Sequence, residues 1–305
     1  MPFGARNAAL GGHVVSLSDG DLMQFVHNPA VLDSVATTSM SINMSPYFAD
    51  IVSFSGAYLA DFKKIGKLAF GITYLDYGDF VETADNGDEV GSFSGNDLLL
   101  VIGKSHQISS FTLGANLKYA SNGISGYGSS LILADFGGIY RAPDRDFTAG
   151  LVFKNFGFVL NDFVGEADNQ VPFDVQVSTS FKPEFMPFRF SISAYNLVVR
   201  DTYFLPENEQ SRSKSVEFAD KILRKVNVGA ELILGENLQL LLGYSHLRRQ
   251  ELKIGEEAYG SGFSYGLLIG IKQFDLRYTH ATYHAAGGTD FFTIQTSLNS
   301  FKKIL

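Results

Sequence analysis

The sequence predicts an all-β fold: a fourteen-stranded antiparallel β-barrel that crosses an outer membrane and carries a short N-terminal plug in its lumen. Three observations predict it. First, apolar and polar residues alternate with period two. In "SMSINMS" Met40, Ile42 and Met44 oppose Ser39, Ser41, Asn43 and Ser45, and alternate residues of a strand face opposite sides. Second, the alternating stretches run mostly nine to thirteen residues, whereas strands of water-soluble proteins cluster near ~5–6 and membrane strands need about 9–11. Third, short and long connections alternate after the first hairpin, a rule that suits a barrel whose two ends face different compartments.

Composition narrows the alternatives. Among 305 residues only 18% are charged, while Gly, Phe and Tyr number 31, 27 and 14. No window approaches eighteen consecutive apolar residues, which excludes helical spans and leaves a soluble β protein or a membrane barrel. Zero Cys excludes a disulfide framework and thiolate metal sites. A net charge of -8 with no basic stripe argues against nucleic-acid binding. Met1-Pro2 opens no charged and apolar leader, so an outer-membrane destination implies that a leader was removed.

In chain order, residues 1–38 form the expected plug and residues 39–305 the barrel. "ARNAALGG" (5–12) is small enough to lie close against other backbone, and a short helix is expected across Asp21 to His27, ended by Pro29. Asp19 and Asp21 read as a cap or turn and not as a calcium loop. Strands then follow near 39–47, 51–60, 67–77, 92–104, 110–121, 130–141, 146–155, 172–182, 187–198, 225–234, 237–247, 261–272, 274–280 and 290–299. "DFKKIGK", "SHQIS", "APDRD", "KPEFMP", "LGEN" and Lys272-Gln273 make the short turns. Residues 78–91, 121–129, 155–172, 199–223, 248–260 and 280–288 make long loops, expected to face the cell exterior.

Gly, Ser, Thr and Asn dominate the polar face, which leaves room for a plug. Lys118, Lys154, Arg189, Glu231, Lys272 and Arg277 are the expected inward charges, pairing across the lumen. Phe181, Phe185 and Phe188 at one end, and Tyr74, Tyr77 and Phe80 at the other, would form aromatic girdles. Gly137-Gly138 would suit a kink in the wall. "DFFTIQTSLNSF", reaching Phe301, is similar to the terminal signal of outer-membrane barrels. His280 and His284 lie in a strand end and loop, where four-residue spacing does not make a metal site. No nucleophile elbow, phosphate loop or metal cluster appears, so neither an enzyme nor a cofactor is expected.

The N-terminal stretch, with Ala5, Arg6, Ala8, Ala9, Leu10, Gly11 and Gly12, then Asp19 and Asp21, then Asn28, Pro29 and Ala30, resembles the opening of type IX secretion system barrels. These form the PorV/PorQ branch, itself similar to the fourteen-stranded FadL family. "PYFADI", "GANLKY", "VFKNFGF", "PFRFSISAYNL", "RRQELK" and "ATYHAAG" fall in the order such a chain would have. The resemblance implies a non-enzymatic barrel of a Bacteroidota-type bacterium. It would hold a surface partner, PorZ, in an attachment complex with PorU and PorV that joins secreted cargo to lipopolysaccharide. The docking loops would be Arg248, Arg249, Gln250 and Glu251, the loop from Arg200 to Lys221, and His280 with Tyr283 and His284. The other readings are a FadL-like channel for small hydrophobic compounds with the plug as hatch, a PorV-like cargo shuttle, or a soluble β protein.

Overall fold

The computed structural model describes residues 2–163, 171–198, 214–235, 237–252, 260–284 and 287–303. Fourteen strands close into one antiparallel barrel in sequence order, with β1 (Ser39–Pro46) joining β14 (Gly287–Ser297). Ser39 lies opposite Ser297 and Met44 opposite Phe292, which leaves no open edge at the seam.

The alternation runs outside in. On β1, Ser41, Asn43 and Ser45 are buried while Ile42 is 51% exposed, with Met40 and Met44 also exposed. The same pattern holds on β8 (Asp174–Phe181), where Gln176, Ser178 and Ser180 are buried and Val177 and Phe181 face out. An apolar exterior around a polar interior is stable only where hydrocarbon replaces water outside.

The short turns form as expected, several through single residues in the left-handed region. Ser109 (φ 55°) turns between β4 (Glu89–Ile108) and β5 (Phe111–Ile124), and Lys272 (φ 55°) between β12 (Phe263–Ile271) and β13 (Phe274–His284). Lys272 is therefore an exposed turn residue and not an inward charge.

Three expected long loops, 78–91, 121–129 and 280–288, are instead shortened by continuations of the sheet. β3 (Gly66–Thr83) and β4 run eighteen and twenty residues, and β5 meets β6 (Tyr127–Arg141) through a two-residue turn at Ser125 and Gly126, both at positive φ. Positive φ at both central residues matches the strand twist, so the ladder extends to Ile124 and Tyr127. β13 and β14 likewise lengthen toward each other. At the other extreme β14 stops at Ser297, and a 3-10 turn spans Leu298–Lys303, so Phe301 does not end a strand as expected.

β2 (Val52–Phe62), β7 (Phe147–Asn161), β9 (Phe188–Ala194), β10 (Val226–Leu234) and β11 (Leu238–Ser245) complete the wall. Two helices lie at the long-loop end: α2 (Lys214–Leu223) before β10 and α3 (His246–Glu251) after β11. Ahead of β1 the chain forms α1 (Ala5–Ala9) and 3-10 turns at Leu22–Val26 and Pro29–Ser34. The expected single helix ending at Pro29 is thus two turns. Asn28, extended at φ -145°, separates them and caps the second, and Pro29 opens that turn.

Candidate functional site: the filled lumen and its mouth

Residues 5–35 lie against the inward side chains of the wall. Irregular backbone carries donors and acceptors with no ladder to satisfy them, and the barrel's Ser, Thr, Asn and Gln supply the partners. The Ala5 N–H donates to Thr293 Oγ1 (2.9 Å), and the Ala5 carbonyl accepts from Thr279 Oγ1 (2.7 Å). Ser264 donates to the Ala9 carbonyl, Asn227 to Gly11 and Asn116 to Phe25, each at 2.8 Å. The Val15 N–H donates to Ser178 (2.9 Å), the Ser16 and Ser180 hydroxyls meet at 2.7 Å, and Gln295 bonds both Leu22 and Gly20. Small side chains of the wall let this backbone approach. A Cβ at Gly137 would stand 2.0 Å from Asn28 Oδ1, and one at Gly243 would stand 2.3 Å from the Ala9 carbonyl. Gly137 therefore receives the plug and makes no kink, since β6 pairs through it on both sides.

Apolar contacts fill one side of the lumen. Leu22, Phe25, Val31 and Leu32 pack on Leu59, Val101 and Ile139 of the wall. Near the short-turn end the charges close into a neutral group of four. The Arg6 guanidinium contacts both Asp19 oxygens, and its Nη2 and Nε donate to Glu231 Oε1 at 2.7 and 3.0 Å. Arg189 Nη1 bridges Asp19 (2.7 Å) and Glu231 (3.2 Å). Burial alone would raise the Asp19 carboxyl, but Arg6 and Arg189 hold it well below the usual range. Asp21 caps the first 3-10 turn through Met23 N and lies 3.5 Å from Arg277. Lys118 pairs with buried Asp135, which also accepts the Asn155 N–H where β7 bulges.

A cavity of about 630 Å³ opens at the long-loop end, with plug on one side and wall on the other. The plug contributes Pro2, Phe3, Gly11, Gly12, His13 and His27; the wall contributes Tyr47, Leu75, Tyr77, Asp97, Lys154, Gln176, Arg248 and Tyr283. His13 stacks on Tyr195 (ring centroids 3.8 Å apart, 7°). Burial, then the nearby Lys154 and Arg248, push the His13 imidazole down to about 3. His27, hydrogen-bonded to Phe3 (3.1 Å), is held well below its ordinary value, by burial first.

Of the residues named from sequence, Arg248 and Tyr283 come together. The guanidinium stands 4.3 Å over the tyrosine ring and Nη2 donates to the Gly11 carbonyl, so both touch the plug. Gly12 lies under the pair. His280 points the other way, outside the barrel, against Asp290 (2.9 Å) and Tyr265. Gln250 approaches His246, which pairs with Asp220 of α2 (2.8 Å). Arg249 and Glu251 lie on α3 without joining the cavity. His284 ends β13, its side chain outside the described residues, as are 200–213 of the Arg200 to Lys221 loop. Tyr77, expected in a girdle, shares the inward parity of Leu75 and donates to Asp97 (2.7 Å), whereas Tyr74 and Phe80 face out. His13, His27 and Gln176 had no sequence signal, because a lone polar residue among small ones reads as filler until its neighbours are known.

No protein-family model and no curated protein matches the chain. Solved structures do match in fold. The Ralstonia pickettii toluene transporter TbuX aligns with a TM-score of 0.58 at 13% identity, over 97% of this chain and 98% of that one. The fold is that of a FadL-like outer-membrane barrel. A deletion mutant of the monoaromatic hydrocarbon channel TodX aligns with a TM-score of 0.59 at 13% identity, over 96% of both chains. The exposed apolar band places this FadL-like barrel in the outer membrane of a Gram-negative cell.

Proposed function

We propose that this barrel is a FadL-like passage that admits small, largely apolar molecules at its long-loop end, with the N-terminal segment governing how far they go. The observation that carries the reading is the mouth cavity, built jointly by Phe3, Gly12 and His13 of that segment and by the wall. Two fold neighbours, aligned over nearly the whole of both chains, whose names describe a toluene transporter and a hydrocarbon channel support it. More than ten hydrogen bonds, at roughly 1 kcal/mol each, hold residues 5–35 to the wall, so the segment does not leave as a unit. Passage then requires a local shift along the segment, from its outer tip down to the stretch at Ser16 beside the short-turn end of β8. No covalent chemistry is involved in this reading.

The chain lacks cysteine, so a lock can be introduced cleanly. The Ser16 and Ser180 hydroxyls lie 2.7 Å apart, which makes Ser16→Cys with Ser180→Cys the pair to cross-link. Cells expressing this double variant are expected to lose uptake of an apolar fluorescent probe under oxidation and regain it on reduction. Uptake that is insensitive to the lock, or no greater than in cells without the barrel, sinks the passage reading.

A second reading rests on the sequence likeness to the type IX branch at residues 5–12, 28–30, 152–158 and 281–287. In it the barrel is a PorQ-like scaffold whose exterior loops hold PorZ in the complex with PorU and PorV. The clasp of α2 to α3 through Asp220 and His246 supports it by presenting an ordered surface at that end. Extraction in mild detergent should then co-purify the partner from oxidised and reduced double variant alike. Recovery of the barrel by itself counts against the scaffold.

A further inference from the structure

We infer that α2 is a membrane-seated helix, whose face carrying Phe218, Ile222 and Leu223 sinks into the hydrocarbon of the outer leaflet beside the β9–β10 rim. The inference goes beyond the passage reading and is independent of what crosses the lumen.

The first observation is that α2 turns its apolar face outward. At 3.6 residues per turn, Phe218 and Ile222 fall on one side of a helix and Asp220 and Arg224 on the opposite side. The polar side is the one that meets protein. Asp220 and Arg224 are buried and bonded to each other (2.7 Å), Asp220 also pairs with His246 of α3 (2.8 Å), and the Arg224 carbonyl accepts the Tyr195 hydroxyl (3.0 Å). Phe218 is 65% exposed, and Ile222 and Leu223 are exposed beside it. A helix resting on a protein in water does the reverse, with its apolar stripe against the core. The strands of the wall show the same reversal as α2, and there hydrocarbon covers the apolar side.

The second observation is position. Only Arg224 and Lys225 separate α2 from β10, and the Lys225 carbonyl accepts the Tyr195 N–H (3.1 Å), so the helix end is tied to the outer edge of the wall. Ala194 and Val226 make the last pair between β9 and β10 there. On the membrane side of that pair Phe190, Ile192 and Val228 belong to the exposed apolar band, and on its outer side Leu197 and Val198 are exposed as well. Apolar surface therefore continues from the band to the outward face of α2, and the lipid that covers the one reaches the other. An interfacial helix buries such a face about 5–10 Å into the boundary between headgroups and acyl chains. Since α3 is clasped to α2 and holds the Gly11 carbonyl through Arg248, the leaflet braces the rim of the mouth from outside.

The chain contains no tryptophan, so Phe218→Trp places a single fluorescent reporter on the helix. The full-length barrel is reconstituted into phosphatidylcholine vesicles with or without bromine on the upper part of the acyl chains. Ile192→Trp, in the band, is the lipid reference, and Val90→Trp, on the β3–β4 hairpin that outruns a membrane-spanning length, is the water reference. Bromine is expected to remove at least about half of the Phe218→Trp emission, close to its effect on Ile192→Trp and well above its effect on Val90→Trp. Adding Ile222→Asp to Phe218→Trp is expected to cut that quenching at least about twofold, because a carboxylate is costly against hydrocarbon. A retained heat-dependent gel shift shows that each variant is folded. Emission quenched by aqueous acrylamide and not by bromine puts the helix in water and overturns the inference. Emission shielded from both means that protein, a partner or a second copy, covers the face, which overturns it too. Bromine quenching indifferent to Ile222→Asp does the same.

Discussion

Glu231 is fully buried between Arg6 and Arg189, and its charge decides whether two cations can be enclosed there. Glu231→Gln keeps the shape but leaves two guanidinium groups sharing Asp19. Removing one partner from such a group costs about 3–5 kcal/mol. The expected result is faster trypsin cleavage after Arg6 in otherwise intact barrels, and an unchanged rate would refute the role of the network. His27, at the mouth cavity, makes a pH-dependent prediction for the same segment. Burial holds its imidazole below 6.5 when the segment is docked, so the undocked form takes up a proton that the docked form excludes. Docking is strongest above pH 6.5 and weakens as pH falls, by up to about 1.4 kcal/mol per unit. Trypsin should therefore cut after Arg6 faster at pH 5 than at pH 7.5, when each rate is corrected for the enzyme's own pH dependence. Inward charges such as Glu231 and Arg277 were legible from strand parity. Their partners Asp19 and Asp21 were legible only as turn formers, because which strand a free segment will meet is not written in its local pattern.

At the scale of elements, the strands were legible because alternation and length are both set locally. The outer hairpins were less so. Ser125-Gly126 reads as loop until the flanking residues are seen to pair, and the same Gly-rich composition serves a tight turn or a disordered one. The α2–α3 clasp was invisible, since Asp220 and His246 are 26 residues apart and neither sits in a motif. Asp220 accepts from His246 and from Arg224 (2.7 Å), whose carbonyl in turn accepts the Tyr195 hydroxyl (3.0 Å). Burial would raise the Asp220 carboxyl, but these partners hold it below its ordinary 3.8. A depressed carboxyl stabilises above its ordinary value and ceases to do so as pH falls through the folded one. Hydrogen exchange in Lys214–Leu223 should be flat from pH 7 to about 4, after correction for intrinsic rates, and rise below 3.8. A rise already complete at pH 5 would show that Asp220 does not hold the helix. Since Tyr195 also carries the stacked His13 ring, the same chain of contacts runs from α2 to the outer tip of the lumenal segment.

For the whole molecule, the fold class follows from an interior more polar than the exterior. The filled lumen and the mouth do not follow from that alone, because they depend on where fewer than forty residues come to rest. Those residues touch every strand from β1 to β14, with the Ala5 amide and Thr293 separated by 288 positions. This bears on how the molecule is assembled. The seam between β1 and β14 joins the earliest and latest strands of the sheet, so closing the ring carries the largest loop-closure cost in the wall. A wall glycine such as Gly243 leaves no slack around the Ala9 carbonyl, and threading such a segment through a finished ring would break every fit in turn. The segment is better placed before the ring shuts, as a former around which the sheet curls. The width of the barrel is then matched to its first thirty-five residues at the moment of closure.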